Sequence, residues 1–438
     1  MTRIVAISVF ALALCAGASD RAAAELLPFQ AQLQDQSAYA LGSFQLNVIF
    51  VESDGSIDVD REDWNAEQIS TVKSEIAQAA GFWEQQSADL HPAARLRIDV
   101  NYVNDAVPIN TGYEPISRAH TQDGLWINQV LSTLGYDATT SKFNNTRQFN
   151  HDQRLAAGTN WVSTLYVVND LADANNRFSD GWFAFAFHGG PYAVLSYENN
   201  GWGADRFDRV LSHEMAHLFF ALDERESARE RSSARSGYLD STNFNSELDA
   251  DGNVRTAPQP DVLMINNTLV LSDATKIQVG LLDSDGDTIP DILDTFPTLT
   301  GDEGISDSAA GVFRFAGEAR VSPLNNLNTK NLSFSSSGAD MTINTILAAQ
   351  YRLDGGAWTD VPELAATLGG YEESFDFSIL NIAKGDHLID VRVLNSVDNP
   401  SEPLSFDFTS QLVVPEPSAA ILAVLGWFML IAAHRRRR

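Results

Sequence analysis

His213-Glu-Met-Ala-His217 sets two imidazoles one helical turn apart with a carboxylate between them. Two neutral nitrogens at that spacing can converge on one ion, and Glu214 can serve as base for the water that the ion activates. Around the pair, Phe207, Val210, Leu211, Met215, Leu218, Phe219 and Leu222 recur at intervals of three and four. That recurrence predicts a helix packed by one apolar stripe. At about 100° per residue the two histidines lie roughly 40° apart on one border of the stripe, so the helix aims both at an adjoining cleft. A hydrolytic zinc usually takes three protein ligands and keeps a fourth position for water. Asp223, six residues after His217, is the candidate third ligand. Glu224, Asp240 and Glu247 stay open for that role if the helix runs on.

A second run also has ligand chemistry. Asp283-Ser-Asp-Gly-Asp-Thr-Ile-Pro-Asp-Ile-Leu-Asp294 places Asp283, Asp285, Asp287, Asp291 and Asp294 at positions 1, 3, 5, 9 and 12 of a twelve-residue loop. Ile289, at position 7, offers a backbone carbonyl. Six to eight oxygen ligands suit Ca²⁺, a hard ion of flexible geometry. The run resembles a single thrombospondin type 3 or EF-hand-like repeat, with Thr288 where the usual Gly stands.

The metal helix resembles that of the metzincin peptidases. Their motif is a His-Glu-x-x-His helix, a Gly three residues on, and a third ligand, His or Asp, three further. His213, Glu214, His217 and Asp223 match the Asp-type pattern, whereas Phe220 stands in place of the Gly. The family Gly turns the chain out of the helix, often at positive φ, which a bulky residue tolerates poorly. The resemblance implies a methionine turn beneath the metal. Asp261-Val-Leu-Met264-Ile-Asn-Asn267 fits it, with Met264 as a packing residue. The Tyr that follows this Met in some members is replaced by Asn266, and Tyr238 is a candidate to polarise a carbonyl instead. The implied activity is zinc-dependent hydrolysis of a peptide or protein substrate, with Glu214 as general base.

The elements that must hold this helix read as alternating strands and helices. Strands are predicted at 44–51, 95–103 and 161–168, and helices at 66–85 and 122–134. Residues 183–197 read as an edge strand or hairpin broken at Gly189-Gly-Pro191, and in the resembled family such an edge binds substrate backbone by strand addition. His188 reads as a loop or rim residue. The expected fold is an α/β (α+β) metzincin-like catalytic domain over 25–280 with a mixed, mostly parallel sheet. A calcium-binding linker follows at 281–300. Short alternating strands at 341–347, 350–353, 373–380 and 387–394 then predict an all-β immunoglobulin-like sandwich over 310–411. An Arg/Ser/Glu-rich stretch at 225–236 is expected to be a loop beside the cleft.

The termini bear on location. Residues 1–24, with the apolar run Ile4–Leu14 and small residues beyond, read as a secretory signal peptide that carries off the sole cysteine, Cys15. Val414-Pro-Glu-Pro417, an apolar span to Ala433 and His434-Arg-Arg-Arg-Arg438 resemble the PEP-CTERM sorting signal of Gram-negative bacteria. That resemblance implies, over 414–438, a transient transmembrane anchor, an exosortase partner and release to the cell surface or an extracellular polysaccharide matrix. A net charge of -29 over 438 residues argues against nucleic acid as partner. The alternative function is a non-catalytic matrix or adhesion protein that binds calcium and polymer.

Overall fold

The computed structural model describes residues 27–412 apart from 60, 61, 105, 138 and 258. The expected signal peptide and the expected sorting signal both lie outside the described residues. Among those described, no helix is long and apolar enough to cross a membrane. The chain divides into two units: one runs to Thr295 and takes in Ser322–Asn344, the other comprises Phe296–Val321 and the chain from Thr345.

The first unit follows the order β1 (Ser43–Ser53), α1 (Ala66–Gln86), β2 (Arg97–Tyr102), β3 (Ile109–Thr111), α2 (Gly124–Thr133), α3 (Lys142–Ala157), β4 (Trp161–Val168), β5 (Ala184–Ala186), β6 (Tyr192–Ser196) and α4 (Phe207–Leu218). A small hairpin, β7 (Arg235–Ser236) and β8 (Ser241–Thr242), and two short helices, α5 (Leu263–Asn266) and α6 (Asp273–Gln278), come after α4. The sheet runs β2-β1-β4-β6-β5, with β3 also on β1. Every pairing is parallel except β5 on β6, so the sheet is mixed and mostly parallel, as the sequence predicts. β4 is buried along its whole length, which is why it reads as a continuous apolar run and not as an alternating one.

Two helices illustrate how local sequence sets these elements. Helix α1 starts at Asn65, whose side chain accepts from the Glu67 and Gln68 backbones while Gln68 reaches back to the Asn65 N–H. That reciprocal cap satisfies three donors a helix start otherwise leaves bare. Its Trp83 then packs edge-on to Phe219 and donates its indole N–H to the Ser212 carbonyl at 3.2 Å, fixing α1 on α4. Helix α3 has no apolar stripe for a sequence reading to find. It buries Asn145, Asn150 and Arg154, and Asn150 spends its amide on Gln36 and the Pro191 carbonyl. Only Phe143 and Phe149 pack into the core and hydrogen bonds hold much of the rest, so periodicity misses it.

Residues 322–344 differ most from expectation. The sequence places them in the sandwich, with a strand over 341–347. Here they form a strap on the first unit, and the next strand begins only at Ile346. Phe334 packs edge-on to Phe143 while its carbonyl accepts from Arg147 at 2.6 Å. Asn331 donates to the His188 carbonyl at 3.1 Å. The strap is nearly all side-chain and turn hydrogen bonding, which carries no strand or helix period.

The second unit holds β9 (Thr298–Glu303), β10 (Phe313–Arg320), β11 (Ile346–Leu353), β12 (Thr359–Asp360), β13 (Glu372–Ile379), β14 (Gly385–Asn395) and β15 (Leu404–Ser410). They form antiparallel sheets β13-β10-β9 and β12-β11-β14-β15. Phe313 and Phe315 of the first sheet meet Phe406 and Phe408 of the second, so the two sheets share an aromatic core. Its first strand, β9, precedes residue 310 and begins within the expected linker, at Thr298.

Candidate metal centre

Helix α4 puts His213, Glu214 and His217 on one buried side. His213 Nδ1 donates to the Leu263 carbonyl at 3.0 Å, and His217 Nδ1 to the Ala221 carbonyl at 2.8 Å. Each carbonyl fixes a ring and its tautomer, leaving the lone pair of Nε2 free for an ion. The Leu263 carbonyl belongs to the turn that carries Met264, which is fully buried. The methionine turn expected from the sequence thus lies next to the histidines and orients one of them.

The chain leaves α4 through a left-handed residue, and that residue is Phe220, at φ 71°. The N–H of Ala221 bonds back to the Ala216 carbonyl and that of Phe220 to the His217 carbonyl, which closes the helix as a Schellman turn. Phe220 therefore adopts the backbone expected to need a glycine. The glycine is across the contact instead: a Cβ on Gly189 would come within 2.2 Å of Phe220 Cζ. The Phe220 ring occupies the space left by the missing side chain, and its burial offsets the cost of the left-handed backbone.

Past this turn Asp223 swings back to the histidines. Its Oδ1 is 3.1 Å from His213 Nε2 and its Oδ2 3.7 Å from His217 Nε2. Ligand atoms of the three residues all lie within 4.8 Å of one another, so the set can hold a metal ion. His213 Nε2 and Asp223 Oδ1 sit at hydrogen-bonding distance yet lack hydrogen-bond geometry, as two atoms do when they face a common point. Glu224, the rival third ligand, faces away. It accepts from Asn245 at 2.6 Å, Thr275 at 3.1 Å and the Ser272 hydroxyl. Asp240 pairs with Arg235, and Glu247 accepts from the Glu226 N–H, so neither joins the histidines. Tyr238 is not at the centre either. Its hydroxyl, buried under the strap, accepts from the Met341 N–H at 2.7 Å and lies 2.7 Å from the Leu324 carbonyl.

Electrostatics separate the groups. Burial pushes the Glu214 carboxyl up to about 7, with Asp223 adding to it and His213 opposing. Burial takes His217 down to about 4. His213 moves upward because Asp223 outweighs its burial, and Asp223 falls well below the carboxylate range through both histidines despite its own burial. At about 7, Glu214 is poised to exchange a proton near neutrality.

A cleft opens beside these atoms, lined by Asp180, Trp182, Phe183 and Ala184 together with Val210, His213, Glu214, Arg225 and Asn267. β5 is an edge strand, so the segment expected to meet substrate does border the cleft. Trp182 is 47% exposed and lies against the His120 ring, which also bonds Asp180 at 2.6 Å. Arg225 Nε stands 3.1 Å from Asp223. Arg225 lies in the stretch expected beside the cleft, and successive side chains of the run go to different places: Asp223 to the histidines, Glu224 to Asn245 and Arg225 to Asp223. His188, expected at the rim, lies with its ring 5.0 Å from that of His217. The acidic loop also gathers: Asp283, Asp285 and Asp287 approach within 4.8 Å, and Thr288 has the φ of 78° that the missing Gly would have supplied.

No protein-family model and no curated protein sequence matches the chain. Among solved structures, OgpA from Akkermansia muciniphila is 10% identical over 86% of this chain and 96% of its own, at a TM-score of 0.25. Catalytically inactive OgpA in complex with an O-glycopeptide substrate, glycodrosocin, gives 7% identity over 86% and 95%, at 0.23. The fibronectin(III)-like modules of Clostridium thermocellum CbhA give 13% identity over 28% of this chain and 50% of that one, at 0.18. These likenesses are too slight to assign a fold family or an activity.

Proposed function

We propose that the chain is a zinc-dependent endopeptidase whose ligands are His213, His217 and Asp223. One observation carries the reading: two buried imidazoles with oriented Nε2 atoms and a returning carboxylate converge beside a buried glutamate, at a cleft bordered by an edge strand. Two nitrogens and one carboxylate oxygen suit zinc better than a hard ion, which prefers oxygens alone. A zinc ion held there supplies the Lewis acidity that activates water and polarises a carbonyl.

The protein's own groups do the rest. Glu214 takes the proton of the attacking water and delivers it to the leaving amine. β5 receives an extended peptide by backbone hydrogen bonding, and Trp182 covers an apolar side chain of it. Arg225 adds, after the two histidines, to the charge that keeps Asp223 ionised. The acidic loop at 283–294 is a calcium site on this reading, with Asp283, Asp285, Asp287, the Ile289 carbonyl, Asp291 and Asp294 as its oxygens. Export and sorting through the two termini complete the proposal: the enzyme works at the cell surface or in the matrix.

The test is Glu214→Gln on a casein or peptide-library digest, with metal analysis of the same preparation. The expected result is a loss of about 10²–10⁴ in kcat with one zinc retained. Unchanged hydrolysis, or wild-type protein that takes up no zinc, overturns the proposal.

A further inference from the structure

The carboxyl ends of β4 and β6 carry a second polar cluster that peptide hydrolysis does not use. Asp170, fully buried, accepts the Glu198 N–H on Oδ1 at 2.7 Å, and its Oδ2 has no hydrogen-bond partner. The buried Ser196 hydroxyl lies beside that carboxylate and favours its ionised form. Asn199 is also fully buried. Its Nδ2 donates to the Tyr197 carbonyl at 3.2 Å, while its Oδ1 has no donor. Asn200 leaves its Oδ1 bare as well, and its N–H joins the loop after β4 through the Asn176 carbonyl. Asn176 in turn donates to the carbonyl of Asp170, so the two loops are pinned together around these side chains.

Every bare atom but the hydroxyl is a pure acceptor, which hydrogen bonding within the protein leaves unsatisfied. The charges nearest Asp170 among the described residues are also carboxylates, Glu198 and Glu62. Burial, reinforced by those two, raises the Asp170 carboxyl to about 7. A proton on Asp170 adds a single donor, so the two amide oxygens would need both that proton and the Ser196 hydroxyl. A cation answers all of them at once.

We propose that Asp170, Ser196, Asn199 and Asn200 form a buried site for a hard divalent cation, Ca²⁺ by preference, that ties the ends of β4 and β6. The donor set is oxygen only, which selects against zinc and copper. Mg²⁺ keeps several waters and demands a strict octahedron, whereas Ca²⁺ accepts irregular cages of carboxylate and amide oxygens. The site is separate from the loop at 283–294 and does not depend on the peptidase reading. Its role is structural, since it joins the strand leading into the cleft loop to the strand preceding the metal helix.

The test uses full-length, zinc-supplemented protein carrying Asp283→Asn and Asp285→Asn, which disables the acidic loop. Tb³⁺ is the probe, because Trp64 and Tyr197, with ring centroids 5.6 Å apart, stand next to the site and can sensitise its emission. Tb³⁺ emission under indole excitation should appear and be displaced by Ca²⁺. Saturating Ca²⁺ should raise the melting temperature by roughly 5 °C. Asp170→Asn should weaken both by about tenfold or more in affinity. Trp64→Phe should remove most of the emission while keeping the melting shift. If Asp170→Asn fails to fold, Asn199→Ala together with Trp64→Phe decides. An emission and a melting shift untouched by these changes, or no Ca²⁺ response in the loop-disabled background, leaves a protonated Asp170 with water around it and overturns the proposal.

Discussion

At the residue scale, positions adjacent in sequence part company at the metal centre. Asp223 turns to the histidines and Glu224 turns to Ser272, Thr275 and Asn245. Asp223→Ala should therefore abolish zinc binding, read by metal analysis. Glu224→Ala should keep zinc but lose about 1–3 kcal/mol of stability, because it strands buried donors. Equal zinc loss in both variants would refute that division. Phe220 and Gly189 form a similar pair. Gly189→Ala drives a Cβ into the Phe220 ring at a left-handed position, φ 77°. Phe220→Ala alone should cost about 3–5 kcal/mol through the cavity it leaves. The Gly189→Ala penalty should shrink in the Phe220→Ala background, and a denaturation double-mutant cycle measures that coupling. Additive costs would mean that the ring does not depend on the glycine.

At the element scale, the strap at 322–344 is the piece of the first unit that comes from furthest along the chain. It supplies partners for the buried Tyr238 hydroxyl and for the His188 carbonyl. A fragment ending at residue 321 should lose cooperative unfolding, monitored by calorimetry, whereas one ending at residue 280 would suffice if the boundary expected from the sequence held. Tyr238→Phe gives a finer check. It leaves the Met341 N–H and its neighbouring carbonyls unmet, at about 1–3 kcal/mol, and should leave kcat unchanged. A fall in kcat with normal stability would return Tyr238 to the catalytic role that the sequence suggested. Helix α3 and the strap escaped the sequence reading for one reason. Both are held by buried polar side chains, and hydrogen-bond partners far along the chain have no period.

At the scale of the whole molecule, charge and pH enter. Asp170 has a folded pKa of about 7 against an ordinary value of 3.8. The folded state therefore binds this proton more tightly than the unfolded chain. Its contribution to stability is fully present below about pH 4 and disappears as pH rises through 7. In chelator, then, this group should lower stability between pH 4 and pH 7, and Asp170→Asn should flatten that part of the profile. With Ca²⁺ the loss should vanish, because the ion replaces the proton. Urea melts across that pH range, with and without chelator, read both effects. The net charge of -29 acts in the same direction, since it raises the local concentration of cations around the protein.

The sequence by itself determined the helix that carries His213, Glu214 and His217, most of the strands and helices leading to it and the kind of sheet they form. These depend on short-range spacing: a turn of 3.6 residues, an apolar stripe, a continuous buried strand. Even the departure at Phe220 was visible as the position where the chain must turn. Tertiary structure alone decided the rest. It turned Asp223 and not Glu224 toward the histidines, set Arg225 against Asp223, brought His188 against His217 and returned residues 322–344 to the first unit. Each of those outcomes depends on where a side chain points once distant segments pack, and on which buried polar atoms then find partners. Spacing along the chain carries no information about either.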